Sequence, residues 1–228
     1  MLTEGTLALS TSEYAQMDLQ ANTIISATKE AEYIEITTPQ ARAQGTNVTL
    51  SIRGRGFFKG TTITTTKWGN LPTGEVTVGP LEDSLEGTIV CDMAVGGIGP
   101  IREKLIIVCK EGRATHLEGV STHVENRVKT ALSTDAMASV VGEMAIGLNP
   151  KARVVDEFVE TEKVYGTTHI AFGRNIDYPT GGANDSTNHM DFLMSEPTIV
   201  TVFPDEKIEL VRDGRIIIQS TGKSTSVT

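Results

Sequence analysis

The chain has 228 residues, 39% hydrophobic and 21% charged, with a net charge of -9. That length suits one sizeable domain, because single cores extend to about 250 residues, and the composition excludes the disordered and fibrous classes. The basic residues are scattered rather than gathered into a phosphate-neutralising stripe, which argues against a nucleic-acid partner. No run approaches the roughly 18 apolar residues of a membrane span, and Met1 to Tyr14 lacks the basic patch and apolar stretch of a signal peptide; the expected location is the cytoplasm.

Apolar residues in the first thirty positions follow no clean period, and one helix is expected near Met17 to Ala31. From Tyr33 the pattern alternates in YIEIT and NVTLSIRGR, predicting two half-buried strands, followed by a threonine-rich strand and a turn around Trp68 to Gly74. Strands continue through EVTV, GTIVCDMAV and KLIIVCKEGRATHLEG, the last folding back at Glu111-Gly112. Cys91 and Cys109 sit in apolar runs and read as small buried thiols rather than as a disulfide or ligands.

Val124, Val128 and Leu132 recur at helical spacing, and Ser133-Thr134-Asp135 then resembles a cap before Ala136, Met137, Val140, Val141 and Met144. Two consecutive helices are predicted, the second ended by Gly147-Leu148-Asn149-Pro150. A polar stretch through Lys163 leads to the strand VYGTTHIAF, a glycine-rich loop, the strand HMDFLM and a hairpin at Asp213-Gly214, with a tail from Ser220 expected to be mobile. The expected fold class is α+β, mainly antiparallel sheet curled toward a barrel, with packed helices.

Some residues fit a plain core poorly. On HMDFLM, His189 and Asp191 point to one side while Met190 and Phe192 point to the other. Such a pair can converge on one ion at about 2.0 to 2.2 Å, or it can be a solvated edge strand. His169 shares a face with Thr167 and Ala171 and gains interest only in that company, as a lone strand histidine is ordinarily structural. Glu143 borders the apolar arc of the predicted second helix, where a carboxylate either reaches water or turns inward to a cation. Glu75 begins a strand after Pro72-Thr73-Gly74 and by itself is an ordinary surface glutamate. Gly181-Gly182 would let backbone approach a ligand closely, or simply make a turn. His116 and His123 read as solvated, and spacing does not decide whether Tyr178 serves a site or packing.

These residues, in this order, resemble the thermophilic-type metallo-aminopeptidase family that includes aminopeptidases T and S and PepS. GNLPTGEV looks like its glycine-glutamate turn, VVGEMAIG like the segment of its second glutamate, THIAFG like that of its ligand histidine, and NDSTNHMDF like its final segment. The likeness runs from about Ala31 to Gly214. It implies a divalent-metal site of one or two ions held by Glu75, Glu143, His169, His189 and Asp191, with Glu75, Glu143 and Tyr178 as catalytic candidates. Zinc, cobalt or manganese would activate a water toward the first peptide bond of a peptide or other small-molecule substrate.

The resemblance also implies an additional N-terminal domain, for which this chain has no room; 1-228 is expected to be a single catalytic domain that covers its apolar surface as a homo-oligomer. The family places a tyrosine seven residues after its histidine, where this chain has Ile176, with Tyr178 nearby as a substitute. The same fold family includes mononuclear non-haem iron enzymes similar to 2,5-dihydroxypyridine dioxygenase, for which Glu143, His189 and Asp191 would hold Fe(II). A binding protein with a vestigial site is the third reading.

Overall fold

The computed structural model describes residues 8–39, 45–61, 69–177 and 179–222, with side chains described up to residue 220. The predicted threonine-rich strand and Tyr178 lie outside these ranges. The chain begins with helix α1 (Thr11–Thr28), which starts where Ser10 and Glu13 form a reciprocal capping box and buries Met17, Ala21, Ile24 and Thr28. It therefore begins a turn and a half before the expected Met17, and its buried stripe is only one residue wide, too thin to give a clear period.

The remainder is mainly antiparallel β, as the alternating patterns predict. One eight-stranded sheet contains β1 (Tyr33–Thr37), β2 (Asn47–Ser51), β5 (Glu86–Cys91), β8 (Leu105–Lys110), β9 (Arg113–Glu118), β13 (Thr198–Val202), β14 (Lys207–Arg212) and β15 (Arg215–Gly222). Its order is β15-β14-β13-β1-β2-β5-β8-β9. The other contains β3 (Phe57–Lys59), β4 (Glu75–Val78), β6 (Ala94–Val95), β7 (Gly99–Pro100), β10 (Val141–Gly147), β11 (Thr168–Gly173) and β12 (His189–Met194), in the order β3-β4-β10-β11-β12-β6-β7. Both sheets are curled, and neither closes into a barrel. Helix α2 (Thr122–Leu132) lies beside β9, and the short α3 (Phe158–Thr161) precedes β11.

The hairpin turns fall at the expected residues. Glu111 and Gly112 both have positive φ, as do Asp213 and Gly214, the conformation required by the two-residue turn that matches strand twist. One core joins the sheets, including Ile34, Leu50, Ile89 and Ile107 from the first and Val76, Met144, Ile170, Phe172 and Phe192 from the second. Phe172 and Phe192 meet edge to face with ring centroids 5.7 Å apart. Cys91 and Cys109 are free and buried, and burial raises both thiols to about 12. Among the described residues no helix is long and apolar enough to cross a membrane.

The second of the two consecutive helices is a strand. Residues 141–147 are buried throughout and pair with β4 on one side and β11 on the other. A strand covered on both faces loses its polar alternation and reads as a continuous apolar run, which periodicity cannot distinguish from a buried helix; Gly142 and Gly147 were the local signs against a helix. Asp135 is likewise no cap of such a helix. Its carboxylate accepts from Met137 N at 2.9 Å, Thr187 N at 2.8 Å and the Ser186 hydroxyl at 3.0 Å, tying the loop before β12 to the turn before β10.

Candidate metal centre

Four adjacent strands, β4, β10, β11 and β12, present one face to the candidate site. Register fixes which residues share it: Glu75 lies opposite Gly147, Thr77 and His169 lie on either side of Ala145, Ala171 lies opposite both Glu143 and Asp191, and His189 lies opposite Gly173. Directly opposed residues point the same way, so Glu75, Glu143, His169, His189 and Asp191 all belong to this face. Val76, Met144, Ile170, Phe172 and Phe192 point the other way into the core.

Glu143 belongs to this face by plain alternation, because Glu143, Met144, Ala145 and Ile146 pair in unbroken register with Ala171, Ile170, His169 and Thr168. A β-bulge lies just before it: Val141 pairs with Phe172 and Glu143 with the next residue, Ala171, leaving Gly142 as the extra residue. The bulge turns Val141 to the apolar side, into the core.

The side chains meet closely. His169 Nε2 lies 3.3 Å from Glu143 Oε1, 3.9 Å from Glu75 Oε2 and 3.9 Å from Asp191 Oδ1. His189 Nε2 lies 3.6 Å from Glu143 Oε2 and 3.5 Å from Asp191 Oδ1. Ligands about 2.0 to 2.2 Å from a tetrahedral ion stand roughly 3.4 Å apart, so these separations suit a shared cation. Thr77 donates to Glu143 Oε1 at 3.3 Å, and His189 donates from Nδ1 to the Arg174 carbonyl at 2.8 Å, directing Nε2 toward the carboxylates.

Burial makes the arrangement electrostatically demanding. His169 is fully buried, while 27% of the His189 side chain is exposed and forms the mouth of the site. Burial alone would lower the His169 pKa, but the hydrogen bond to Glu143 and the charges of Asp191 and Glu143 outweigh it and hold the ring at about 9. His189 is shifted the same way, burial again opposing and Asp191 prevailing. Burial opposes ionisation of Asp191, yet the neighbouring His189 and His169 bring it down to about 2. Without a metal these carboxylates keep both imidazoles protonated, and a cation among them would take over that role.

Sequence reasoning missed Glu162 and Lys163. The Lys163 side chain is 1% exposed, its Nζ 2.7 Å from Glu75 Oε1 and in contact with Glu162 Oε1. Burial disfavours its charge, but Glu75 and Glu162 hold its pKa above the ordinary lysine value. Burial, with the Lys163 charge opposing and those of Glu75 and Asp191 reinforcing, raises Glu162 to about 7. Two overlapping groups of donor atoms each fall within 4.8 Å: Glu75, Glu143 and His169, and Glu162, His169 and Asp191.

The residues fit a metal by one further observation. Glu75 Oε2, buried beside this cluster, has no hydrogen-bond partner among the described residues, and neither has His169 Nδ1. A buried carboxylate oxygen left unsatisfied is costly unless a cation meets it. Two glycines allow the close packing that positions these ligands: Gly74 has φ +128 and a Cβ there would meet Asn149 Cβ at 2.7 Å, while a Cβ on Gly96 would lie 3.0 Å from Asp191 N.

The remaining expectations separate. His116 and His123 are exposed, as expected. Gly182 packs directly against the side chain of Asn175, which bridges the Gly142 carbonyl and Asn184 N. Ile176 is 44% exposed.

The fold has counterparts among solved structures. Wild-type AmpT from Thermus thermophilus is similar with a TM-score of 0.75 and 21% identity, over 94% of this chain and 56% of that one. A 2,5-dihydroxypyridine dioxygenase from Pseudomonas putida KT2440 is similar with a TM-score of 0.72 and 20% identity, over 92% and 60%. The chain thus spans less than two thirds of either structure. No curated protein sequence matches it. A model of the thermophilic metalloprotease (M29) family matches residues 16–216, and the chain belongs to that family.

Proposed function

We propose that the protein is a metal-dependent aminopeptidase, holding its ion through Glu143, His169, His189 and Asp191, with Glu75 completing the set. The observation that carries this reading is the Glu143 carboxylate, whose two oxygens face two different imidazoles at 3.3 and 3.6 Å while both imidazoles also approach Asp191. When bound, a divalent ion would supply a water of lowered pKa and polarise the scissile carbonyl. Glu75, whose Oε2 faces His169 and has no hydrogen-bond partner among the described residues, would be the proton acceptor in that chemistry. The part-exposed His189 edge is where the amino end of a peptide would enter.

Membership of a metalloprotease family supports the reaction class. Tyr178 remains a catalytic candidate from the sequence. Exposed Leu19 and Leu71 are consistent with a homo-oligomer, which light scattering tests. The expected activity is release of an amino acid from an unblocked peptide, none from its acetylated counterpart, with loss on chelation and recovery with zinc, cobalt or manganese. A second reading, ring cleavage at iron, is favoured by the likeness to the dioxygenase. Iron-dependent oxygen uptake with a dihydroxylated aromatic ring, with peptides untouched, would replace the first reading by the second.

A further inference from the structure

The metal centre proposed above already contains a fixed cation of the protein's own. Lys163 Nζ bridges Glu75 Oε1 and Glu162 Oε1, and its side chain is enclosed. Its placement is built into the fold: the Lys163 carbonyl accepts from Asn149 N at 2.9 Å, and the Asn149 side chain donates to the Thr73 carbonyl at 2.9 Å, two residues before Glu75. One asparagine thus holds both the lysine and the turn that delivers its carboxylate partner.

The two donor groups show what this does. Each contains one carboxylate that Lys163 already engages, Glu75 in the first and Glu162 in the second, and both draw on His169. A second divalent ion would need those same carboxylates while lying beside an ammonium of like charge. Glu143 and Asp191 instead face the imidazoles of His169 and His189 at 3.3 to 3.9 Å, and among the described residues neither carboxylate forms an ion pair with Lys163.

We infer that Lys163 occupies the place of a second cation, so that the centre takes a single divalent ion, bound on the Glu143, His169, His189 and Asp191 side. This inference rests on the metal-centre reading, and metal counting separates the two. Chelator-treated protein would be titrated with Mn²⁺ by calorimetry and elemental analysis, with electron paramagnetic resonance on the loaded sample. One ion per chain with the spectrum of an isolated Mn²⁺ is expected, rising to two in Lys163→Met and staying at one in Lys163→Arg.

Two ions per wild-type chain, or a spin-coupled pair, overturn the inference and leave the metal centre standing. No bound ion overturns both. A Lys163→Met protein that is folded by circular dichroism and still takes one ion also overturns it. Should that variant not fold, Glu162→Gln is decisive alongside the wild-type count: it should retain one ion, and loss of the ion would make Glu162 a ligand and sink the inference.

Discussion

The bulge at Gly142 can be tested by adding one carbon. A Cβ there would sit 2.4 Å from the Gly173 carbonyl oxygen and 3.2 Å from its carbon, both backbone atoms of the paired strand. Gly142→Ala must therefore push β10 from β11 or flatten the bulge. Overpacking of this kind costs typically about 1–3 kcal/mol, and in a chain of this size each kcal/mol lowers Tm by roughly 2–4 °C, so a drop of about 2–12 °C is expected. Pushing β10 from β11 at this point also displaces the next residue, Glu143, from His169, so Mn²⁺ affinity should fall as well. Differential scanning calorimetry with and without metal measures both effects. An unchanged Tm together with unchanged affinity would refute the argument that the close approach of Gly142 to Gly173 holds these strands in place beside the site.

Other outcomes follow from single contacts. Asp191→Ala should remove bound metal and peptidase activity together, read by elemental analysis and an unblocked-peptide assay. Phe172→Ala, emptying a fully buried ring site against Phe192, should destabilise by about 3–5 kcal/mol in denaturant titration. Asp135 is held near 2 by its bonds to Thr187, Met137 and Ser186, chiefly that from the Thr187 backbone, below the ordinary 3.8. A depressed folded-state value means that its stabilisation is present above about 3.8 and lost as pH falls through about 2; Asp135→Asn should remove that part of the acid limb from stability measured against pH. Cys91 and Cys109, with thiols raised to about 12, should react with iodoacetamide only after unfolding, as mass spectrometry would show.

What the sequence disclosed depended on how far each signal was local. Glu111-Gly112 and Asp213-Gly214 were readable because turn chemistry is carried by two residues, and His189 with Asp191 because strand alternation needs only three. Glu143 was singled out as a carboxylate at an apolar border, but its element was misread, since burial of β10 on both faces erased the period of two. Glu162 and Lys163 had no local signal at all. In a polar stretch they look solvated, and only the arrival of Glu75, far earlier in the chain, makes their burial tolerable. The Glu160 carboxylate, which accepts from Arg153 N at 3.1 Å, is hidden in the same way.

The distribution of the candidate ligands over β4, β10, β11 and β12 has a consequence for how the chain folds. Glu75 and Asp191 are brought together only after β10 and β11 have paired between them, so no hairpin of this protein contains the complete constellation. Closing such non-local pairings is slow, and the proposed site is complete only late in folding, when the sheet is assembled. An ion that recognises only the finished arrangement would shift the equilibrium toward it by mass action, so that metal supply would help to set how much of the chain is folded.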